Sequence, residues 1–422
     1  MARRSPRPTT TVPARLRACA ALWLAFRIVS GAAPAVTLAG QTQPQPHAGQ
    51  ASPASDRFAS LPSGNLRDSQ RFEFHEPHMG TDTRIVVYAA DERVAGAAAR
   101  AAFDRVEALN AILSDYQSTS ELMKLSARAG QGPVVISDDL FRVLAAAQDL
   151  AVRSDGAFDV TCGPLTRLWR RARHLSELPA TAHVDEARAI TGFKSLHLDA
   201  AARTATLDKA GMFLDVGGIA KGFAAEEALR LLTARGLSRA LVALGGDIAV
   251  ADPPPNRDGW LIDVATLDLS DSTGRTDRTG PAAEAAAAGR VGPILLRNAA
   301  VSTAGDAEQW LTANGVRYSH ILDPRTGWPM TIRSTTTVIA PHGLDADGLD
   351  TTAALLGVDR GLALVEAVPG AAVFMMRREA DGRTVVRTSS RWPPRADIGH
   401  TAAARPNAVE FHEPRDQSPV VR

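Results

Sequence analysis

The chain has 422 residues, 45% of them hydrophobic and 22% charged, proportions that suit a globular protein with one large core or two moderate ones and exclude disorder throughout. A formal net charge of +1 gives no electrostatic reason to expect nucleic acid, and no interleaving of aromatic and basic residues suggests a groove for single strands. Partners have to be inferred from sites.

In chain order, "MARRSPRPTTTVPARLR" is basic and free of acids, and "ACAALWLAFRIVSGAAPAVTLAG" is an Ala-rich apolar segment ending in small residues, the pattern of an export signal. Cleavage is expected near Ala39, so residues 1–39 are read as a signal peptide and the mature protein as exported and periplasmic, with inner-membrane association as the alternative. Arg3 and Arg4 are compatible with a twin-arginine route. As a permanent span the segment is poor, because Arg27 near its middle costs on the order of 2.5–3.5 kcal/mol on insertion scales. Membrane contact is therefore expected only through a partner or an uncleaved signal. Removing the signal leaves Cys162 as the only cysteine, which excludes an intramolecular disulfide and a cysteine-based metal site; the thiol is expected to pack as a small apolar group.

Residues 40–70, rich in Pro, Gln, Ser and Ala without hydrophobic period, read as a flexible linker, and residues 71–395 as the globular domain. Within it, "TRIVVYAA" is strand-like, while "ERVAGAAARAAFDRVEALNAIL" and "DDLFRVLAAAQDLAVRS" carry helical periodicity. "SLHLDAAARTATLD" predicts a hairpin, and "ALVALGGDIAV" a strand running into a tight Gly-Gly turn. "FLDVGGIAKGFAAEEALRLL" places Asp215 at an expected strand end, a glycine pair after it and Lys221 at a helix opening. Such a turn offers either the Gly218 carbonyl to a cation or N–H groups to a phosphate, or is simply structural; it lacks a dinucleotide fingerprint. Residues 266–290 read as a surface insertion and 396–422 as a loose tail.

Two stretches hold candidate chemistry. "RYSHILDPRTGWPM" needs Asp-Pro and Gly for its turn but not His320, which is either an ordinary satisfied side chain or a proton carrier. "DADGLDTTAALLG" crowds Asp345, Asp347 and Asp350 ahead of an apolar helical run. Like charges at that spacing repel, so something positive must neutralise them: the helix N-terminus, which favours acids as cap and in its first turn, or a metal ion. Asp347 and Asp350, three apart, share a helix face with the Thr351 hydroxyl beside them, a hard-oxygen set suited to Mg²⁺ or Ca²⁺.

Eight segments, "HMGTDTRI", "LSDYQSTSELMKLS", "GAFDVTCGPLTRLW", "LDVGGIAKGFAAEEAL", "ALGGDIAV", "VSTAGD", "SHILDPRTGWPM" and "TVIAPHGLDADGLDTTAALLG", resemble in this order the motifs of the ApbE family, the FAD:protein FMN transferases, over about residues 74–376. The resemblance implies an α+β, T-fold-like single catalytic domain of mixed sheets with packed helices. It implies that the domain takes FAD as substrate and Mg²⁺ as cofactor, with Ca²⁺ and Mn²⁺ as alternatives. FMN would move onto a threonine hydroxyl of an exported target protein, with AMP released. Carried over by motif, the metal set is the Gly218 region through its carbonyl, with Asp347, Asp350 and Thr351. The flavin contacts are Met79, Tyr116, Ala157, Phe158, Asp159, Asp215, Lys221 and Leu322, and His320 matches the histidine beside the reacting centre. Asp345 falls outside the matched positions and is expected to be a solvated loop or cap residue. Ala304 departs from the family's usual serine, which puts one polar contact in doubt, and the 266–290 insertion bears on how the target docks. Two rival readings use the same pocket: a metal-dependent FAD pyrophosphatase giving FMN and AMP, and a non-catalytic FAD-binding protein. The last predicts a damaged metal site, whereas all the matched oxygen ligands are present.

Overall fold

The computed structural model describes residues 69–267, 292–305, 309–379 and 381–396. The expected signal peptide, most of the linker, the insertion from residue 268 on and the tail from residue 397 on lie outside the described residues.

The strands are Gln70–His78 (β1), Thr81–Ala89 (β2), Val134–Val135 (β3), Leu196–Asp199 (β4), Thr204–Leu207 (β5), Ala240–Leu244 (β6), Asp247–Val250 (β7), Trp260–Ile262 (β8), Ile294–Leu296 (β9), Ala299–Gly305 (β10), Trp310–Ala313 (β11), Val316–Ser319 (β12), Leu322–Asp323 (β13), Trp328–Pro329 (β14), Ser334–Ala340 (β15), Ala372–Arg378 (β16) and Thr384–Thr388 (β17). Eight of them form one sheet in the order β1-β2-β6-β7-β10-β15-β16-β17, antiparallel at every ladder. The helices are Glu92–Leu113 (α1), Glu121–Ser126 (α2), Asp138–Arg153 (α3), Gly163–Leu175 (α4), Thr181–Ala189 (α5), Ala220–Ala234 (α6), Gly343–Leu356 (α7) and Val358–Glu366 (α8). The architecture is α+β, as expected. Among the described residues no helix is long and apolar enough to cross a membrane.

Strand alternation sends successive side chains to opposite faces of the sheet, and here both faces are buried. Ile85, Val87, Val242 and Leu244 join the main core with α1, α3, α6 and α7. Val86, Leu241, Ala243 and Ile248 face a second core closed by Trp260 and Ile262 of β8 and Ile294 and Leu296 of β9. This is why "IVVYA" and "ALVAL" are apolar throughout rather than alternating. A third cluster, Leu165, Trp169, Ala172, Val184, Leu311 and Leu322, joins α4 and α5 to the hairpins β11–β12 and β13–β14.

Local signals account for the ends of the elements. Asp91 caps α1 by accepting from the Val94 N–H at 2.8 Å, and Ser137 caps α3 by accepting from the Leu140 N–H at 3.3 Å. The predicted hairpin is β4–β5, and the Gly-Gly turn joins β6 to β7 with Leu244 opposite Asp247. One expectation is corrected. Phe213 to Asp215 is not a strand: its pairing is a lone parallel bridge between Phe213 and Cys162, with the Asp215 N–H donating to the Val160 carbonyl at 2.8 Å. The close approach depends on Gly163, where a Cβ would come within 2.4 Å of the Phe213 carbonyl oxygen, and α4 begins at that residue, so no ladder can continue.

Candidate functional site

The starts of α6 and α7 meet at the core side of the sheet. A Cβ on Gly222 would lie 2.1 Å from the Gly343 carbonyl oxygen, and one on Gly343 would lie 2.1 Å from that of Gly222, so only glycine permits the contact. Asp347 and Asp350 lie on α7, 4% and 2% exposed. Asp347 Oδ2 accepts from the Gly222 N–H at 2.9 Å. It does not cap its own helix but that of its neighbour, since Ile219 at the α6 N-cap offers no side-chain bond. The N-cap of α7 is His342, and Asp345 stands in the first turn, half-buried, rather than as a cap or solvated loop residue. Burial raises the Asp345 pKa, against the charges of His342 and Arg153.

Asp350 Oδ2 and Asp247 Oδ1 both receive the Ser302 hydroxyl, at 2.6 and 2.5 Å. That hydroxyl has one proton for two carboxylates, so the second short contact requires a proton on one of the carboxyls. Asp247 Oδ2 pairs with Lys221 Nζ, the cation of the cluster, whose side chain stays 35% exposed. Burial works to lower the Lys221 pKa, but the charges of Asp247, Asp347 and Asp350 outweigh it and raise it. The Asp347 carboxyl is pushed up to about 7 by burial and then by Asp247, against Lys221 and the backbone N–H bonds. The Asp350 pKa is raised well above the ordinary range by burial, then by Asp347 and Asp247. Fully ionised, three carboxylates around one ammonium would leave two negative charges without a partner in the cluster, the charge a divalent cation carries.

Whether this chain could hold such an ion depends on donors other than carboxylates, because among the described residues no group of three or more His, Cys, Asp or Glu side chains is gathered to hold a metal. A hydroxyl oxygen lies on α7 next to Asp350, and a glycine of the loop before α6 adjoins it. A Cβ placed on Gly218 would lie 3.8 Å from Thr351 Oγ1, so the glycine of the α6-opening loop adjoins the hydroxyl next to Asp350. The set fits a hard divalent cation held by Asp347, Asp350, Thr351 and the Gly218 carbonyl.

The same glycine leads to the nucleotide candidates. Its Cβ position lies 3.4 Å from the Phe158 ring. Ala157, Phe158 and Asp159 are buried, and Asp159 is fully engaged: Oδ1 accepts from the Thr161 N–H and hydroxyl at 2.8 and 2.7 Å, Oδ2 from the Phe193 N–H at 2.7 Å. Burial nevertheless raises its pKa. The Asp159 carboxylate thus braces the loop, which walls a cavity of about 430 Å³ with Gly156, Phe193 and Arg325. Asp215 accepts from Gly217 N–H at 2.8 Å and from Arg170 at 2.9 Å, and Arg170 also pairs with Asp115. The Arg170 guanidinium lies 4.4 Å from the ring centroid of Tyr116, which is 78% exposed, an aromatic surface backed by a fixed cation.

The remaining candidates sit on separate elements. Met79 occupies the β1–β2 turn with φ 49°, beside the β6–β7 turn, where the Gly245 N–H donates to the Asp82 carbonyl at 3.2 Å. Leu322 packs its side chain into the third core. His320 follows β12, exposed, its N–H donating to the Gln309 carbonyl at 3.0 Å. Cys162 is a free thiol packed beside that core, its pKa raised by burial and then by Asp215 and Asp159.

The sequence model of the ApbE family matches residues 79–375. This chain belongs to the ApbE family. A FAD:protein FMN transferase of Treponema pallidum is 34% identical over 301 residues, 69% of this chain and 80% of that protein. The Salmonella typhimurium protein of the same name is 29% identical over 309 residues, 72% of this chain and 83% of that one. The solved flavin transferase ApbE from Vibrio cholerae superposes with a TM-score of 0.64 at 27% identity, covering 77% of this chain and 98% of that one. The apo flavinyl transferase ApbE of Pseudomonas stutzeri gives 0.62 at 28%, covering 76% and 95%.

The sequence reading missed Asp247 and Ser302 in this ApbE chain. Both stood inside quoted motifs, and one signal pointed to Asp247: a lone acid in "ALGGDIAV", a run apolar enough to be buried on both faces, has to find a cation.

Proposed function

We propose that this protein is an FAD:protein FMN transferase that works outside the cytoplasm, moving FMN from FAD onto a threonine hydroxyl of an exported protein. The observation that carries the reading is the unbalanced carboxylate cluster at the α6–α7 crossing, in a chain of the ApbE family. The pyrophosphate P–O bond of FAD breaks, the threonine oxygen bonds to the FMN phosphorus, AMP leaves, and the hydroxyl proton is lost to a base.

The chain's own residues divide this work. Tyr116, backed by Arg170, offers its open face to the flavin ring, and Asp115 and Asp215 hold Arg170 in place. The Lys221 ammonium, kept charged by three carboxylates, neutralises phosphate charge as it grows. His320, at the surface where a protein substrate can reach it, takes the proton from the threonine hydroxyl. Asp347, Asp350, Thr351 and the Gly218 carbonyl would hold Mg²⁺, which supplies Lewis-acid polarisation of the pyrophosphate oxygens when bound.

The deciding assay incubates the protein with FAD, Mg²⁺ and a candidate acceptor. Covalent flavin fluorescence on the acceptor with an equal yield of AMP is the expected result. AMP with free FMN alone would make the protein a pyrophosphatase, and bound, uncleaved FAD would make it a carrier.

A further inference from the structure

The carboxylates assigned to the cation lie on a helix that does not cap itself. His342, at the α7 N-cap, makes no side-chain cap bond. The Gly343 N–H donates instead to Glu226 Oε2 of α6 at 2.9 Å, while Glu226 Oε1 contacts His342 Nδ1 at 2.9 Å. The α6 N-terminus is served in return by Asp347 of α7. Each helix thus has a backbone donor of its first turn satisfied by a carboxylate of the other, across the glycine pair that leaves no room for slippage.

We propose that Glu226 is a positioning residue for the cation site. With both oxygens tied to the start of α7, it fixes the height and rotation of that helix against α6. It thereby sets Asp347, Asp350 and Thr351 on α7 opposite Gly218 and Lys221 at the start of α6. A helix turns 100° and climbs 1.5 Å per residue, so even a partial slip of α7 carries its carboxylates out of reach of a donor set built half on each element. The inference rests on reading Asp347, Asp350, Thr351 and Gly218 as cation ligands, and Glu226 is not one of them.

Titrating Mg²⁺ alone into the full chain while following thermal unfolding tests it, with Mn²⁺ binding by electron paramagnetic resonance as a direct check. Removing groups that orient metal ligands typically costs 10–100-fold in affinity, so Glu226→Ala should raise the Mg²⁺ midpoint by about 10-fold or more. Glu226→Gln keeps an acceptor for the Gly343 N–H and should stay within about threefold of the parent. A Glu226→Ala protein that melts lower in chelator but keeps the parent's Mg²⁺ midpoint would overturn the proposal, because Glu226 would then add stability without placing ligands. If Glu226→Ala does not fold, Glu226→Asp, one methylene too short to keep both ties, takes its place; a raised midpoint supports the proposal and an unchanged one overturns it. Asp350→Asn serves as the control on the underlying reading. Its loss of the Mg²⁺ response alongside a normal Glu226→Ala response sinks only the role of Glu226, whereas its full Mg²⁺ response sinks the cation site and this inference together.

Discussion

Two buried carboxylate networks meet at α6, and their surroundings push carboxyl pKa values in opposite directions. Glu227, 3% exposed, is bonded by Arg105 at 2.6 Å, Arg142 at 2.9 Å and Arg230 at 2.6 Å. Burial pushes its pKa up, but those three bonds outweigh it and hold the carboxyl below its ordinary range. Asp350, 2% exposed, has the Ser302 hydroxyl and a shared lysine, and its pKa rises well above the ordinary range. Both side chains are closed off from the surface, but Asp350 lies deeper, so depth of burial and cation count together set the sign. A carboxylate oversupplied with arginines is a finished structural tie between α1, α3 and α6. One undersupplied inside a core is where a bound cation would supply the missing charge.

The most severe test replaces Asp350 with Asn. If the deficit belongs to a cation site, Asp350→Asn melts no lower than the parent in chelator, since one of several repelling carboxylates is gone. It loses the stabilisation the parent gains from Mg²⁺ with FAD and transfers no FMN. Full transfer in that variant would return the segment to a helix-end role. His320 follows β12 at the surface, so proton transfer can be tested apart from charge balance. His320→Ala should slow transfer by about 10²–10⁴ with FAD affinity unchanged, the typical contribution of a positioned base. Unaltered turnover would assign the proton to an aspartate.

The contrast between the networks also marks what could be read without coordinates. Helix 92–113, the 195–208 hairpin and the Gly-Gly turn were legible because period, cap and turn chemistry are local. The acid cluster was legible as a problem, too much charge with no visible counter-charge, and the family motifs offered candidate donors. Its surroundings were not, because they come from distant strands: Asp247 from β7 and Ser302 from β10 reach Asp350 only when the sheet closes. Asp347 defeated the choice between cap and ligand by serving a helix other than its own, which no pattern within residues 343–356 could reveal. Glu226 and Glu227, adjacent in sequence, looked alike, yet one ties α7 and the other gathers arginines.

The complementary substitution falls on the satisfied network. Glu227→Gln leaves three arginines facing a neutral amide. Because they keep 24%, 47% and 64% of their side-chain surface accessible, water can partly replace the carboxylate. A loss of about 2 kcal/mol is expected, below the 3–5 kcal/mol typical of a fully buried pair. Denaturant unfolding measures it, and the Mg²⁺ response should match that of the parent. A Glu227→Gln protein as stable as the parent but deaf to Mg²⁺ would erase the distinction between the two networks.

The smallest expected effect is a slope with pH. The Asp347 carboxyl, at about 7 in the fold against an ordinary value of 3.8, binds more proton folded than unfolded across that interval. Stability changes with pH in proportion to protons bound unfolded minus protons bound folded, which is negative here. This group's contribution is therefore complete below about pH 4 and is lost as pH rises through 7. Other groups titrate too, so the readout is the parent's melting temperature relative to Asp347→Asn, in chelator, from pH 5 to pH 8. The difference should move against the parent as pH rises. Mg²⁺ competes with the same protons, so adding it should reverse the trend, restore more stability at pH 8 than at pH 5, and release protons on binding near neutral pH. If the Mg²⁺ effect were equal at both ends, the carboxylates would not be what the ion displaces protons from, and the two networks would differ in pKa without differing in purpose.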